Sequence, residues 1–558
     1  MKRKTLLKLT ACGLVGALTI GNFTVAAYAA PTAGVASLAS DIATTSSAPT
    51  AGFSLALSEV AEKVEDEATV ANAQPEVKEV EAPVVKSEYE DKAVAVVDDY
   101  VNVRKKPTTD SKAVGKLYKN NVGTVIGEKD GWYKIKSGSV TGYVKSEFVS
   151  VGDEKKLKQL VDTAHANGLY VFLDGVFGHF RSDLNNTSPK GNKLTITQKC
   201  LGSNLMPYTP PKNTSCTDFD DNGQSLEYMK ELATYYVENF KIDGWRLDQA
   251  YQVPLKDLHE IKTAVEDISS KVTYTNSKGE TVHPLAYMVA EIWSSNPIIA
   301  KTAYGYKKDE GLDSAFDFGM RYPIVQALAT EEWMKAEHSG FRLAEGLAYN
   351  ENNLPRHALP NLMITNHDLL RFGDLIQRAG LQDTYNERVI LALSYLAIVH
   401  SGPITNYYGE EIGQEVPNYA NRVETMGYRD DHVARDNGKI KDFTPQEEHF
   451  KKLFTFLMNL RANHGSLSNG RMDLLKVNRE LFSIRKSFKG DDDFFYFMNL
   501  SKNPLKITLS KELTTNAKAL TKLSSDGNTE VKKDLEGNFE FTLAPLSFAL
   551  LQNGEHFE

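Results

Sequence analysis

Four acidic residues of this chain stand where short apolar runs end. Asp174 follows Leu169–Leu173, Asp248 closes Gly244-Trp245-Arg246-Leu247-Asp248, Glu291 follows Ala290, and Asp368 closes Thr365-Asn366-His367-Asp368. Arg246 lies two residues before Asp248, His179 five after Asp174, and His367 next to Asp368. Two carboxyl groups held about 5 Å apart can replace a substituent at an acetal carbon with retention of configuration. One attacks the carbon; the other protonates the departing oxygen and then activates water. Further negative charge and partners for ring hydroxyls favour the oxocarbenium-like transition state. Arg246 beside Asp248 favours an ionised carboxylate, as a nucleophile needs. Glu291, followed by Ile292 and Trp293, sits where an apolar wall raises a carboxyl pKa, as a general acid needs. Each residue alone has an ordinary explanation, because an acid at a strand end often caps a helix and a lone histidine is usually a satisfied core residue. The group in order is what points to chemistry.

The elements that would position these residues alternate between helix and strand. Glu154 to Asn167 is an amphipathic run stopped by Gly168, a natural C-cap. Leu169 to Leu173 reads as a strand, Leu226 to Phe240 as a helix, and Gly244 to Asp248 as the next strand; further strands end near Glu291, Asp317, Asp368 and Tyr408. Such alternation implies a parallel sheet, and polar residues at successive strand ends are how a β/α barrel assembles a site. A helix over Pro445 to Asn463 follows, and the tail from Leu481 to Gln552 alternates as an antiparallel sandwich does.

With these stretches in view, residues 153 to 552 resemble the α-amylase family, glycoside hydrolase family 13. Asp174-Gly175-Val176-Phe177-Gly178-His179 is similar to its first signature region. Gly244-Trp245-Arg246-Leu247-Asp248 is similar to the second, Ala290-Glu291-Ile292-Trp293 to the third, and Thr365-Asn366-His367-Asp368 to the fourth. Gly402-Pro403 and Tyr407-Tyr408-Gly409-Glu410-Glu411 look like the last barrel strand and its loop. The resemblance implies Asp248 as nucleophile, Glu291 as acid/base, Asp368 as transition-state stabiliser, and Asp174, His179, Arg246 and His367 as substrate-binding residues. It implies a retaining glycosidase acting on α-glucosidic bonds, α-1,4 by the family's majority, in starch-like or malto-oligosaccharide substrates. Two departures stand out. Gly178 replaces an asparagine that holds calcium in many members, and without a side-chain oxygen calcium is doubtful there; no metal ligand and no certain cofactor is assigned. Asp218, Asp220, Asp221 and Asn222 form an oxygen-rich cluster read as a solvated loop. The second departure is length. A barrel unit takes roughly 30 residues, and between Val151 and Leu169 there is room for one helix only. The expected fold is therefore α/β: a (β/α)8-type TIM barrel lacking its first strands, with an N-terminal small SH3-like β-barrel and a C-terminal antiparallel β-sandwich.

The N-terminal part has its own signals. Met1 to Lys8 is positive, Leu9 to Val25 mainly apolar, and Ala27-Tyr28-Ala29 offers small residues at a cleavage site, which predicts a signal peptide over 1–29. Leu9-Thr10-Ala11-Cys12 gives a competing lipobox reading with too short an apolar run before it. Residues 30–92 read as a flexible tether. Residues 93–151 resemble a bacterial SH3 domain through Val101-Asn102-Val103-Arg104, Asp130-Gly131-Trp132-Tyr133-Lys134 and Thr141-Gly142-Tyr143-Val144. That implies peptidoglycan or another cell-wall peptide as a partner, a structural spacer being the alternative. The barrel is placed at 153–465, with an inserted loop domain at about 180–224, and the C-terminal β domain at 466–558. Cys200 and Cys216 either close a loop or are free thiols. The net charge of −9 gives no reason to expect nucleic acid, nor a membrane once the signal is cleaved. The protein is expected to be secreted, and wall association follows where the SH3-like module binds peptidoglycan. Two other readings stay open: a cell-wall-binding SH3 protein joined at Gly152-Asp153 to a truncated, inactive amylase region, and a transglycosylase of the same family.

Overall fold

The computed structural model describes residues 16–20, 23–29, 92–119, 121–151, 154–181, 187–188, 190–197, 199–212, 214–416, 435–514 and 520–553. The positive start of the expected signal, Cys12, most of the tether and the Gly152-Asp153 junction lie outside the described residues.

The SH3-like module is a seven-stranded antiparallel sheet running from Lys92–Ala95 to Val149–Val151. Alternation places Val101, Val103, Leu117, Ile135 and Val144 on its inner face, where they form the core. Asp130 and Gly131, with φ of 53° and 76°, make the tight turn that joins Val122–Lys129 to Trp132–Ser137.

Six strands of the barrel region run parallel in chain order: Leu169–Gly175, Gly244–Leu247, Tyr287–Ala290, Ser314–Phe316, Leu359–Met363 and Ile404–Thr405. They are the expected six, although the last ends at Thr405, so Tyr408 lies in the loop beyond it. Helices Gln224–Phe240, Leu255–Ser269, Phe318–Leu328, Gly340–Asn353, Tyr385–Ser394 and Pro445–Asn463 come between and after them. The helix before the first strand is Glu154–Ala166, and Gly168 turns out of it at φ 78°. Val171, Phe172, Trp245, Leu247, Met288 and Val289 are buried together in the first-half core. Where two further parallel strands were missing, the backbone of Gly16–Ile20 and Phe23–Ala29 forms an antiparallel hairpin whose second strand pairs with Leu169–Leu173. The edge of a parallel strand carries unpaired backbone donors and acceptors, which a neighbouring extended segment satisfies; this segment is the apolar stretch expected to be a cleaved signal, so the pairing describes the uncleaved chain.

Below the sheet, fully buried Asp243 ties three elements together. It accepts from His165 Nε2 at 2.9 Å, from the Val171 amide at 2.8 Å and from the Tyr274 hydroxyl at 3.2 Å. Tyr274 also stacks on His165, with ring centroids 3.5 Å apart.

The C-terminal domain is a five-stranded sheet beginning at Arg471–Leu474, faced by the three-stranded sheet of Leu505–Leu509, Phe539–Leu543 and Lys532–Lys533. Its Phe482, Ile484, Tyr496 and Phe548 join the core of the last barrel helices. At that seam two buried basic side chains close the end of one helical segment. Arg461 donates to the carbonyls of Ala397 and His400, and Lys486 to that of Val399, satisfying carbonyls left without partners at a helix end.

Cys200 and Cys216 are disulfide-bonded, which settles the open alternative. The bond joins the Cys200–Leu201 and Thr214–Thr217 strands of the insertion.

Candidate active site

Strand register brings the site together. In the parallel ladder Asp174 is the partner of Arg246, and Leu247 that of Ala290. Residues two apart on a strand face the same way, so Arg246 and Asp248 share a side. The ladder continues one step past the strands: the Asp248 amide donates to the Gly175 carbonyl at 2.9 Å, and the Glu291 amide to the Leu247 carbonyl at 2.8 Å. Asp248 and Glu291 thus leave adjacent strands at one level. The strands can close at their start because Gly244 has no side chain; a Cβ there would lie 1.7 Å from the Tyr287 carbonyl oxygen.

Arg246 is the hub of this arrangement. Its Nη1 donates to Asp174 Oδ1 at 2.7 Å and to Asp248 Oδ1 at 2.8 Å, while Nη2 stands 4.0 Å from Glu291 Oε2. Burial works against its charge, but Asp174, Asp248 and Glu291 outweigh that and raise its pKa. Glu291 is 5% exposed. Burial pushes its carboxyl up to about 7, with Arg246 opposing and Asp248 adding to the rise. The Gln249 amide donates to Glu291 Oε2 at 3.0 Å. Asp174 is likewise raised by burial, against the pull of Arg246. Two carboxyls on adjacent strands therefore have different environments: Asp248 accepts a charge-assisted bond, whereas Glu291 is buried and held towards its neutral form.

The remaining expected residues arrive at the same place. His179 Nε2 is 3.7 Å from Asp248 Oδ2, and His367 Nε2 is 3.3 Å from Asp368 Oδ2. Asp248, Glu291 and Asp368 line one cavity of about 600 Å³, together with Tyr251, Trp293 and Trp333. All seven residues singled out from the sequence are thus gathered at one end of the sheet.

Three supporting residues were not anticipated. Gln252 Oε1 accepts from His179 Nδ1 at 2.8 Å, orienting the ring. Gln249, at φ 42°, turns the chain sharply after Asp248. Arg435 donates from Nη2 to Asp368 Oδ1 at 2.9 Å and from Nε to the His367 carbonyl at 3.0 Å. The positive φ needed after Asp248 had no glycine to mark it, and Arg435 belongs to no periodic segment.

Asp317 also stands at a strand end but serves as a cap. It accepts from the Met320 amide at 2.9 Å and from Asn350 Nδ2 at 2.6 Å, and burial raises its carboxyl to about 6. The Asp218–Asn222 cluster is not simply solvated. Asp221 accepts from Thr195 and from both the amide and hydroxyl of Ser225, fastening the start of helix Gln224–Phe240 to the insertion.

The calcium position of the family does not fit these residues. A Cβ on Gly178 would lie 2.3 Å from the Gln252 Cβ and 2.7 Å from its Oε1. The space an asparagine would enter is occupied by the side chain that holds His179. Among the described residues no group of three or more histidine, cysteine or acidic side chains is placed to hold a metal ion, and no helix is long and apolar enough to cross a membrane.

A partial β/α barrel with this ordered set of acids defines a carbohydrate-active catalytic region. The chain belongs to the alpha-amylase family, joined to a bacterial SH3 domain. The family description "Alpha amylase, catalytic domain" matches residues 216–459, and "Bacterial SH3 domain" matches residues 99–150. AmyP, solved in complex with maltose, is 38% identical with a TM-score of 0.64, the match covering 72% of this chain and 78% of that one. The alpha-amylase from Geobacillus thermoleovorans, solved with acarbose, shares the fold at a TM-score of 0.56 and 19% identity, over 73% of this chain and 82% of that one. A cyclomaltodextrinase of Bacillus sp is 26% identical over 370 residues, covering 61% of this chain and 56% of that protein. The chain therefore spans about half the length of the curated relatives it matches.

Proposed function

We propose that this chain is a retaining α-glycosidase that hydrolyses α-1,4 bonds of malto-oligosaccharides or starch-like glucans. The observation that carries the reading is the Arg246 guanidinium. It bonds Asp174 and Asp248 at 2.7 and 2.8 Å while the buried Glu291, held up at about 7, stands beside it.

Arg246 engages Oδ1 of Asp248 and leaves Oδ2 for attack on the anomeric carbon. As that bond forms, the Glu291 carboxyl gives its proton to the glycosidic oxygen and the leaving sugar departs. The product is a glycosyl ester on Asp248 and a carboxylate on Glu291. Glu291 then takes a proton from water as the water oxygen attacks the same carbon, and the ester bond to Asp248 breaks. Two inversions give retention. Asp368, His367, Asp174 and His179 hold sugar hydroxyls.

Export by the N-terminal leader and attachment to cell-wall peptide through the SH3 module complete the reading; the leader's charge pattern and the SH3 match support them. The maltose bound by AmyP and the cyclomaltodextrinase likeness support an α-glucan substrate. A slow glycosyl fluoride that accumulates the ester should label one peptide, and mass spectrometry should place the label on Asp248. A label on another residue would overturn the assignment.

A further inference from the structure

Both cysteines of the insertion connect to His179, by different routes. Cys216 is the register partner of His179 in the antiparallel pairing of Thr214–Thr217 with His179–Arg181. Next to it, Thr217 donates from its amide to the Gly178 carbonyl at 3.0 Å and from its hydroxyl to the Phe177 carbonyl at 2.7 Å. The strand that carries Cys216 therefore fixes the backbone on which His179 stands. On the other side, Cys200 is followed by Leu201, whose carbonyl accepts from Gln252 Nε2 at 3.3 Å. Gln252 Oε1 in turn accepts from His179 Nδ1 at 2.8 Å, so the strand that carries Cys200 reaches the His179 ring through one side chain. The disulfide closes the circuit by joining these two strands.

The rest of the surroundings makes that circuit directional. Gln252 Nε2 also donates to Gln249 Oε1 at 3.1 Å, so the amide nitrogen faces acceptors and the amide oxygen is left for His179. His179 Nε2 stands 3.7 Å from Asp248 Oδ2, and a tilt of the ring changes what that nitrogen reaches. Ser203, three residues beyond Cys200, lines the catalytic cavity itself. The strands that carry the cysteines are only two and four residues long. Pairs that short are marginal on their own, so the covalent bond between buried Cys200 and Cys216 is what sets their separation.

We propose that the Cys200–Cys216 disulfide positions the active site: through Gln252 and the Thr214–Thr217 strand it holds His179 at Asp248, and turnover depends on it. The inference rests on the glycosidase reading and adds to it a covalent constraint on one wall of the site. This differs from the general stabilising effect of a disulfide, which acts mainly on the unfolded chain and leaves the activity of each folded molecule unchanged.

The test is a double-mutant cycle on the full chain, read as kcat/KM on maltoheptaose per folded molecule. Cys200→Ala with Cys216→Ala should lose roughly tenfold, between the loss of one hydrogen bond and the cost of a misplaced group. Gln252→Ala, which keeps the disulfide, should lose a similar factor. In a His179→Ala background either change should cost less than about twofold, because the group it holds is gone. The fall in Tm on removing the cysteines should be the same in both backgrounds, whereas the fall in activity should appear only where His179 is present. If the cysteine-free chain does not fold, the wild-type chain is reduced in place. A dithiol then gives up two electrons and two protons, leaves as its own cyclic disulfide, and converts Cys200 and Cys216 to thiols. Activity should fall in step with the thiols formed, and reduction of the His179→Ala chain should change nothing. Equal losses in both backgrounds, or a folded chain without the disulfide that keeps wild-type kcat/KM, would overturn this inference and leave the glycosidase reading intact. A folded wild-type chain that cleaves no maltoheptaose would overturn the glycosidase reading and this inference with it.

Discussion

Replacing Glu291 by glutamine should abolish most catalysis and, above mildly acidic pH, make the folded chain more stable. Burial raises this carboxyl from 4.5 to about 7, despite Arg246 at 4.0 Å. At about 1.4 kcal/mol per pKa unit, the folded state disfavours the ionised form by about 3 kcal/mol relative to the unfolded chain. The folded chain binds this proton more tightly, so the wild type keeps the full contribution below pH 4.5. It loses that contribution as pH rises to about 7, and nothing further is lost above. Glutamine does not ionise and can still accept from the Gln249 amide, which lies 3.0 Å from Glu291 Oε2. The stability gap between variant and wild type should therefore be small at pH 4.5, widen across the next two to three units, and level off near about 3 kcal/mol. Thermal unfolding of both chains at pH 4.5, 6 and 8 reads this directly, as a Tm advantage that grows by several degrees. Activity on maltoheptaose should fall by about 10²- to 10⁴-fold, the usual contribution of a general acid. A Tm difference that does not change with pH, or a wild type more stable than the variant at pH 8, would refute the argument that burial strains this carboxylate.

Other consequences follow from individual contacts. Asp243→Ala removes the acceptor for His165, Val171 and Tyr274, so it should lower unfolding stability by about 3–5 kcal/mol, seen as a fall in the denaturant midpoint. Arg321→Met strips the buried Glu332 of its two-point partner at 2.7 Å, in the wall of the catalytic cavity. It should destabilise by a similar about 3–5 kcal/mol and raise KM for maltoheptaose as the Trp333 segment loosens. Gly178→Ala drives a methyl into Gln252 and should cost about 1–3 kcal/mol. Loss of the His179 contact should lower kcat/KM, and added calcium should restore neither effect.

The geometry of the candidate site was legible because its signals are local. Asp174, Arg246, Asp248 and Glu291 each sit at or just beyond the end of a short apolar run, and the parallel register of those runs sets them side by side. The six strands and the Pro445–Asn463 helix were readable for the same reason. Local pattern has limits that Asp317 makes plain: it occupies the same kind of strand end, yet Asn350 and the Met320 amide claim it as a cap. Arg435 reaches Asp368 from 67 residues away, a pairing that depends on how a loop returns and leaves no periodic trace. Pairing of Cys200 with Cys216 depended on strands of the insertion that are only two to four residues long and too short to read.

The account's central claim is that Asp248 is the nucleophile of a retaining reaction in a barrel with six parallel strands among the described residues. Proton NMR of maltoheptaose incubated with the chain, beside Asp248→Asn, tests it most directly. New reducing ends should appear first as the α-anomer and only later equilibrate, and the variant should release essentially none. β-anomer appearing first, cleavage surviving in Asp248→Asn, or a folded wild-type chain that releases nothing would contradict it.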